Sequence, residues 1–273
     1  MERVFVKEIE LRDWDHFKEY FADNYGGKVE YVFRGHGDQE WELASTLTRL
    51  ANNISSDMTS DFIEKKQLEN FRMRIRGLRG RNPSPIDDLE LWSLGQHYGL
   101  STPLLDWTFS PYIAAYFAFE QSNSCSSGKR SIYALNKLDL MSDPQFISSN
   151  GFEFIEPMQD DNSRIVSQAG LFTKTPIGIS LEDWLINHKL DKYLIKMNIE
   201  NDYRLEAIND LQLMNIVGST IYPDLHGAAT TCNMWFETLS SNHESDKMSH
   251  SLIAQLFPEQ TQKTKEKSAI EKL

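Results

Sequence analysis

Apolar and polar positions follow two different periods along the chain, and these periods predict both helices and strands. Residues 14–22 and 181–188 repeat apolar side chains every three or four positions, as amphipathic helices do. Other segments are rich in β-branched and aromatic residues and predict strands or extended chain: residues 29–36, 100–107, 131–136, 152–157, 164–176 and 192–199. Helices and strands alternate irregularly, so a repeating βαβ fold is not expected.

The segment from about residue 45 to residue 99 is mainly helical in pattern and predicts a helical insertion. Pro83 and Pro85 are expected to end a basic helix within it. Ser84 with Pro85 can begin the next helix, as its N-cap and first helical residue.

A second helix start lies in SPYIAAYFAFE, residues 110–120, where Ser110 precedes Pro111. This segment is apolar almost all round, so we expect a buried helix. A final helix is predicted near residues 230–240. We therefore expect a single domain over residues 1–240, followed by a polar and partly flexible segment over residues 241–273.

Composition narrows the classes of protein. The chain has 273 residues, 40% of them hydrophobic, and a formal net charge of −12, so a folded protein without general affinity for nucleic acid is expected. No stretch approaches the roughly 20 apolar residues that span a bilayer, and the first residues do not resemble a signal peptide, so we expect a cytoplasmic protein. Cys125 and Cys232 are too few for a disulfide framework and lack metal-ligand spacing, so reduced cysteines and no metal site are expected.

One basic segment runs against the overall negative charge. Between residues 65 and 81 it holds the cations Lys65, Lys66, Arg72, Arg74, Arg76, Arg79 and Arg81. Its apolar residues recur at helical spacing: Leu68, Phe71, Ile75 and Leu78. The helix would then align Arg72, Arg76 and Arg79 on its outer face. This face is either an ordinary solvated surface or a track for a polyanion such as RNA.

Common nucleotide and protease motifs are missing from the sequence. Gly35 and Gly37 lack the third glycine of a dinucleotide-binding turn, and no phosphate-binding loop with glycine, lysine and serine or threonine occurs. The HESDK segment lacks the second histidine of a zinc protease helix, and there is no GxSxG motif. A Rossmann dehydrogenase, a P-loop NTPase and a zinc protease are therefore not expected.

Polar residues inside apolar segments carry the candidate chemistry: Arg34, Asp106, Gln168, Asp224 and His226. Burying such groups without a hydrogen-bond or charge partner costs a few kcal/mol. They should therefore contact each other or a ligand. One interpretation is an internal salt bridge of Arg34 with Asp106 or Asp224. The other is a ligand site, which Gly35 favours because glycine lets the backbone approach a bound molecule.

Four segments resemble, in the same order, the FRG-domain family, which is named for its Phe-Arg-Gly motif. They are FRGH, QHYGLSTPLLDWTFSPYIAAYFAF, SQAGLF and IYPDLHGAA, and together they cover roughly residues 28–235. The strand pattern of the family is similar to the ADP-ribosyltransferase fold. The resemblance therefore implies an α+β fold, with a split mixed or antiparallel sheet, an inserted helical subdomain and NAD as substrate.

The same resemblance assigns cofactor-binding roles. Arg34, with Gly35 beside it, takes the first-strand position and would bind the pyrophosphate of NAD, because a guanidinium gives two parallel hydrogen bonds. Thr108 and Ser110 take the second-strand hydroxyl positions, and Trp107 or Tyr98 would stack on the nicotinamide. From the residues alone, Ser110 is equally an ordinary helix start and Trp107 an ordinary core residue.

The catalytic positions depart from the ADP-ribosyltransferase pattern. Gln168 stands where the fold has its catalytic glutamate, so another carboxylate would have to stabilise the developing positive charge on the ribose. Asp106 is the first candidate and Asp224 the second, although the former can simply pair with Arg34 and the latter can cap a turn. The other carboxylate candidates are Glu153 and Glu156. His36 is a candidate base toward the acceptor.

These assignments imply an NAD-dependent ADP-ribosyltransferase, an effector or toxin of a bacterial toxin–antitoxin or phage-defence module. RNA is the favoured acceptor because of the basic segment, and an antitoxin is an expected partner; no DNA specificity is evident. Transfer to water or to protein is an alternative activity. Gln168 favours a second alternative, a module that binds a nucleotide or partner without catalysis.

Overall fold

The structure is a computed structural model that describes residues 6–54, 58–80, 83, 85–156 and 170–239. Its strands are β1 (Lys7–Leu11), β2 (Tyr31–His36), β3 (Leu104–Thr108), β4 (Lys129–Asn136), β5 (Glu153–Ile155), β6 (Gly170–Lys174) and β7 (Leu194–Glu200). They form one mixed seven-stranded sheet in the order β1-β7-β4-β2-β3-β6-β5. The predicted α+β class is confirmed.

The helices are α1 (Trp14–Tyr25), α2 (Thr46–Asn52), α3 (Ser60–Arg74), α4 (Asp88–His97), α5 (Pro111–Phe119), α6 (Lys137–Ser142), α7 (Pro144–Ser148), α8 (Leu181–Asn187), α9 (Arg204–Leu213), α10 (Gly218–Ile221) and α11 (225–239). Helices α2, α3 and α4 lie between β2 and β3, where the sequence predicts a mainly helical segment. Residues 241–273 lie outside the described residues.

Strand β1 is an element that the sequence analysis missed. It pairs in parallel with β7, whereas the other strand pairs of the described sheet are antiparallel. Glu8 and Glu10 alternate with apolar positions and receive hydrogen bonds from Asn198 of β7 at 3.1 and 2.9 Å. Because these charges stand on an edge strand, they look like a polar surface segment when the sequence is considered alone.

The predicted extent of the basic helix was wrong. Helix α3 ends at Arg74, and the chain turns at Gly77, whose φ of +78° is accessible mainly to glycine. Arg76 and Arg79 therefore lie in the turn beyond the helix, and the predicted row of three arginines on one helix face does not form.

The predicted start of the next helix was also wrong. Helix α4 begins at Asp88 rather than at Pro85, and Asp87 is its N-cap. The Asp87 carboxylate accepts from the backbone N–H of Glu90 at 2.8 Å, and the Glu90 carboxylate accepts from the backbone N–H of Asp87 at 3.3 Å. This reciprocal capping box satisfies two backbone N–H groups at the start of the helix. Ser84 lies outside the described residues.

The prediction of a buried helix after Ser110 is confirmed. The Ser110 hydroxyl accepts from the backbone N–H of Ile113 at 3.3 Å, and Pro111 is the first residue of α5. The helix packs directly on β2, where a Cβ on Gly35 would lie 1.9 Å from the carbonyl oxygen of Ala114. Gly35 therefore serves the close packing of helix on strand, a use of glycine different from the ligand approach expected above.

Two arginines hold the carboxyl end of α5 in place. Fully buried Arg130 donates to the carbonyl oxygens of Ala118 and Gln121, the latter at 2.9 Å. Arg204, also buried, donates to the carbonyls of Phe119 and Glu120 at 2.8 and 3.1 Å. These bonds satisfy carbonyls that a helix end leaves without partners. They also fix the position of the residues that follow α5.

Two other sequence expectations concern the whole chain. No helix in the described ranges is both long and apolar enough to cross a bilayer. Both cysteines are free: Cys232 is exposed, and Cys125 is half-buried with its thiol 3.3 Å from the carbonyl oxygen of Lys129.

Candidate functional site

A cavity of about 690 Å³ opens where β2 and β3 separate. These two strands share one paired position, Phe33 with Thr108, and beyond it the backbones are no longer hydrogen-bonded to each other. Six polar residues that line the cavity are Arg34, His36, Arg49, Gln96, Asp106 and Glu120. Helix α4 contributes Gln96 from its last turn, and Glu120 follows the end of α5.

Arg34 spans the gap between the two strands. Its Nη1 donates to the backbone carbonyl of Asp106 at 2.7 Å and lies 3.6 Å from the Asp106 carboxylate. The Nη2 group of Arg34 has no hydrogen bond to any residue in the described ranges, and the side chain is 20% exposed. Arg34 is therefore held at one edge of its guanidinium and retains donors for a ligand at the other.

His36 binds the same guanidinium through the Nε–H of Arg34. Its Nε2 receives the Nε–H of Arg34 at 3.0 Å, and its Nδ1 lies 3.2 Å from the carbonyl oxygen of Trp41. Since a carbonyl only accepts, Nδ1 carries the proton and the ring is neutral. Burial and the charge of Arg34 hold the pKa of His36 well below its ordinary value. Both ring nitrogens are thus occupied, and His36 orients Arg34.

Asp106 receives bonds from two sides. Gln96 donates to its Oδ1 at 2.5 Å, and the Gln96 carbonyl oxygen in turn accepts from the Thr102 hydroxyl at 2.5 Å. Burial in the cavity raises the pKa of Asp106, whereas the positive charge of Arg34 acts in the opposite direction and lowers it. The Asp106 side chain is still 49% exposed. It therefore presents a positioned carboxyl group to the cavity.

A second cation and an aromatic ring complete this end of the cavity. Arg49 donates to the carbonyl oxygen of Ala44 at 2.6 Å. Enclosure lowers the pKa of Arg34, and the positive charge of Arg49 adds to that lowering. Trp41 also lines the cavity and is 47% exposed. Two guanidinium groups and an accessible indole form a surface that suits an anion attached to an aromatic ring.

The other end of the cavity holds a second carboxyl group. The Tyr222 hydroxyl lies 3.2 and 3.4 Å from the two oxygens of the Glu120 carboxylate. Burial raises the pKa of Glu120 to about 7, although the bond from Tyr222 lowers it. Tyr222 belongs to the segment that connects α10 and α11. From the sequence, Asp224 and His226 were the candidate residues in that segment, and Tyr222 was not.

The remaining predicted cofactor residues are divided between the cavity and its surroundings. Gly35, Trp107 and Thr108 line the cavity, but the Trp107 ring lies in the core and its Nε1 donates to the Thr173 hydroxyl at 2.9 Å. The Thr108 hydroxyl accepts from the backbone N–H of Ser110 at 3.1 Å. Ser110 itself caps α5 and does not line the cavity.

Tyr98 and three carboxylates from the sequence analysis also lie away from the cavity. Tyr98 is 75% exposed beyond the end of α4. Asp224 accepts from the backbone N–H of Gly227 at 3.1 Å, which is the turn-capping role weighed above. Glu153 is exposed on β5, and Glu156 pairs with Lys137. Gln168 lies outside the described residues.

The internal salt bridge weighed at the outset is partly present. Arg34 pairs with Asp106, as that interpretation expected, and not with Asp224. The pair lines an open cavity instead of being sealed in the core, so the pairing and a ligand site coexist.

Arg72 of the basic segment pairs with Asp88, and Arg76 is exposed in the turn after α3.

The described fold and site define an α+β protein with a cavity rich in arginine and carboxyl groups at a break in the sheet. Residues 29–127 match the family model of the FRG domain. The chain therefore carries an FRG domain over residues 29–127, as the resemblance predicted. The matched range includes every cavity residue named above except Tyr222. No curated protein and no solved structure matched the chain.

Proposed function

We propose that the cavity binds NAD and that the protein is an ADP-ribosyltransferase. The observation that carries this proposal is Arg34, which lines an open cavity: its guanidinium is oriented by His36 and Asp106, and its Nη2 has no hydrogen bond to the described residues. A planar donor of this kind suits a pyrophosphate. Arg49 supplies a second positive charge, and Trp41 supplies a ring on which a base can stack.

The sheet supports the same proposal. A split between β2 and β3, which share only one paired position in the described sheet, is consistent with an ADP-ribosyltransferase-like core. In such a core the substrate lies against the first strand, and here that strand is β2. Asp106, on the opposite side of the split, is the group that would stabilise positive charge on the ribose when nicotinamide leaves.

RNA is the acceptor that we propose, on the strength of the exposed cations around Arg72 and Arg76. The segment stands out against a net charge of −12, and backbone phosphates are the ligands that clustered cations attract. Helix α3, which carries Arg72, packs on α4, whose last turn lines the cavity. We propose further that the protein acts as the effector of a toxin–antitoxin or phage-defence module, with an antitoxin as partner.

Labelled NAD distinguishes the proposed acceptors. The purified protein is incubated with NAD labelled in the adenosine part, together with separate pools of RNA, DNA and protein. We expect nicotinamide release and label on RNA. Label recovered only as free ADP-ribose identifies a glycohydrolase, and label on protein identifies a protein ADP-ribosyltransferase. Tight NAD binding without nicotinamide release would overturn the enzymatic proposal and favour a non-catalytic nucleotide-binding module.

A further inference from the structure

Glu120 is a cavity carboxylate to which the proposed function has so far given no role. It follows directly after α5, a helix whose other residues are almost all apolar. Arg204 donates to its backbone carbonyl at 3.1 Å, and the Tyr222 hydroxyl contacts both side-chain oxygens. Its position is thus fixed at the backbone and at the carboxylate.

The surrounding groups explain how this carboxylate titrates. The titratable groups that face it are Tyr116 of its own helix and Tyr222 from the segment after α10. Arg204 of α9 contacts its backbone carbonyl and pairs with Glu237 of α11. Asp106 is close enough to Tyr222 to raise the pKa of that phenol, and it pairs with Arg34 on the cavity wall. In this setting burial outweighs the Tyr222 hydrogen bond and leaves Glu120 with a pKa of about 7.

Two other candidate bases of the cavity are held by neighbouring side chains. His36, the base expected from the sequence, has its one lone pair occupied by Arg34. Asp106 is engaged by Arg34 and Gln96. A general base works best when its pKa is close to the operating pH and its oxygen can reach the acceptor. Carboxyl groups with perturbed titration in a cleft are also candidates for function in general.

We propose that Glu120 is the general base of ADP-ribosyl transfer and that Tyr222 is its positioning residue. This inference rests on the proposed function. The bond between ribose C1′ and the nicotinamide nitrogen breaks, and its electron pair leaves with nicotinamide, which departs neutral. An acceptor hydroxyl forms the new C1′–O bond, and its proton passes to the Glu120 carboxylate. Charge and atoms balance without any further reactant.

Three substitutions test this inference in the full-length protein. Glu120→Gln keeps the shape and the contact with Tyr222 but cannot accept a proton, so kcat should fall at least 100-fold while NAD affinity changes less than twofold. Glu153→Gln, at an exposed position on β5, is the matched control and should leave both values unchanged. Tyr222→Phe removes a hydrogen bond that lowers the pKa of Glu120.

The pH midpoint of the reaction rate distinguishes a general base from a merely structural residue, because only a change at the base shifts that midpoint. The base acts when deprotonated, so the wild-type rate should rise through about pH 7. Tyr222→Phe should move that midpoint to higher pH. An active wild type together with an active Glu120→Gln variant would overturn the role of Glu120, as would an unmoved midpoint in Tyr222→Phe. A wild type that releases no nicotinamide would instead show that the proposed function itself has failed.

Discussion

Arg34 donates its Nε–H to Nε2 of His36 at 3.0 Å, and this hydrogen bond fixes the tautomer of the imidazole. The proton must lie on Nδ1, which faces the carbonyl oxygen of Trp41. Protonating Nε2 would place two cations in contact within a low-dielectric site. The histidine of the Phe-Arg-Gly-His segment is thus best understood as part of the support of the arginine.

We predict that His36 remains neutral across the physiological pH range. Burial and the charge of Arg34 both lower its pKa well below the ordinary value. Nitrogen-detected NMR of the imidazole should show protonated Nδ1 and unprotonated Nε2 from pH 8 down to about pH 5.5. A titration midpoint near the ordinary value of about 6.5 would contradict this arrangement.

The same shift should appear in the stability of the protein. Below about pH 6.5 the unfolded state gains a proton at His36 and the folded state does not. The contribution of His36 to the free energy of unfolding is therefore fully present above that pH and is lost as the pH falls. Glu120 and Glu182, a half-buried residue of α8, act in the opposite sense, because burial raises their pKa values to about 7. The comparison must therefore be made between proteins that differ only at His36.

Denaturant titrations at several pH values separate these effects. The stability difference between wild type and His36→Gln should shift by up to about 1.4 kcal/mol per pH unit below pH 6.5, to the disadvantage of the wild type. Equal pH dependence in wild type and His36→Gln would count against a depressed pKa.

Replacing Gly35 with alanine tests whether this glycine serves packing. The added Cβ would lie 1.9 Å from the carbonyl oxygen of Ala114 and 2.6 Å from the backbone nitrogen of Ala118. We expect a loss of about 3 kcal/mol in the free energy of unfolding. Gly99→Ala is the control, because Gly99 has a φ of +83° but no atom near its Cβ position, and should cost about 1 kcal/mol. Equal losses would refute the packing role.

Arg130 should be essential for the position of the carboxyl end of α5. Arg130→Met keeps much of the side-chain volume but removes the donors to the carbonyls of Ala118 and Gln121. Leaving buried acceptors without partners should cost about 3 kcal/mol. Arg74→Met, an exposed arginine-to-methionine change on α3, should cost less than about 0.5 kcal/mol. Urea denaturation measures both, and similar values would contradict the capping role.

Charge reversal in the basic segment tests the proposed acceptor. A variant with glutamate at Arg72, Arg76 and Arg79 should modify RNA at least tenfold less, while nicotinamide release without RNA stays unchanged. The slope of log affinity for single-stranded RNA against log salt should fall by about 0.7 for each phosphate that the variant no longer binds.

A matched control reverses the same number of charges elsewhere, at the exposed residues Lys7, Lys28 and Lys189. It produces the same net charge and should retain RNA modification. Equal losses in the two variants would indicate a general effect of net charge and would argue against a specific surface.

The parts of the fold that the sequence predicted are those governed by local pattern. Strand β2 and helix α5 were anticipated because their apolar runs and the Ser110 cap are local signals. The pairing of Arg34 with Asp106 was one of two that the sequence left open, Asp224 being the other, because polar groups in apolar strands need partners. Strand β1 was missed because the charged residues of this edge strand do not give an apolar strand pattern. The basic helix was predicted too long because the chain turns at a glycine soon after Arg74.

The second half of the site could not be obtained in this way. The contact between Glu120 and Tyr222 joins residues 102 positions apart, and neither residue interrupts an apolar strand. The one local signal for Glu120 was its position at the end of a buried helix. Tyr98 shows that closeness in sequence does not place a residue in the site. It follows Gln96 by two positions, yet its ring is exposed outside the cavity.

The central claim, that oriented Arg34 binds the pyrophosphate of NAD, is tested most directly by calorimetric titration of NAD into wild type and Arg34→Lys. Lysine keeps the charge but loses the planar fork and the bond to His36. We predict that the wild type binds NAD, and that the variant, with an unchanged melting temperature, binds it at least tenfold more weakly. Equal affinity in the two proteins, or no binding to the wild type, would contradict the claim.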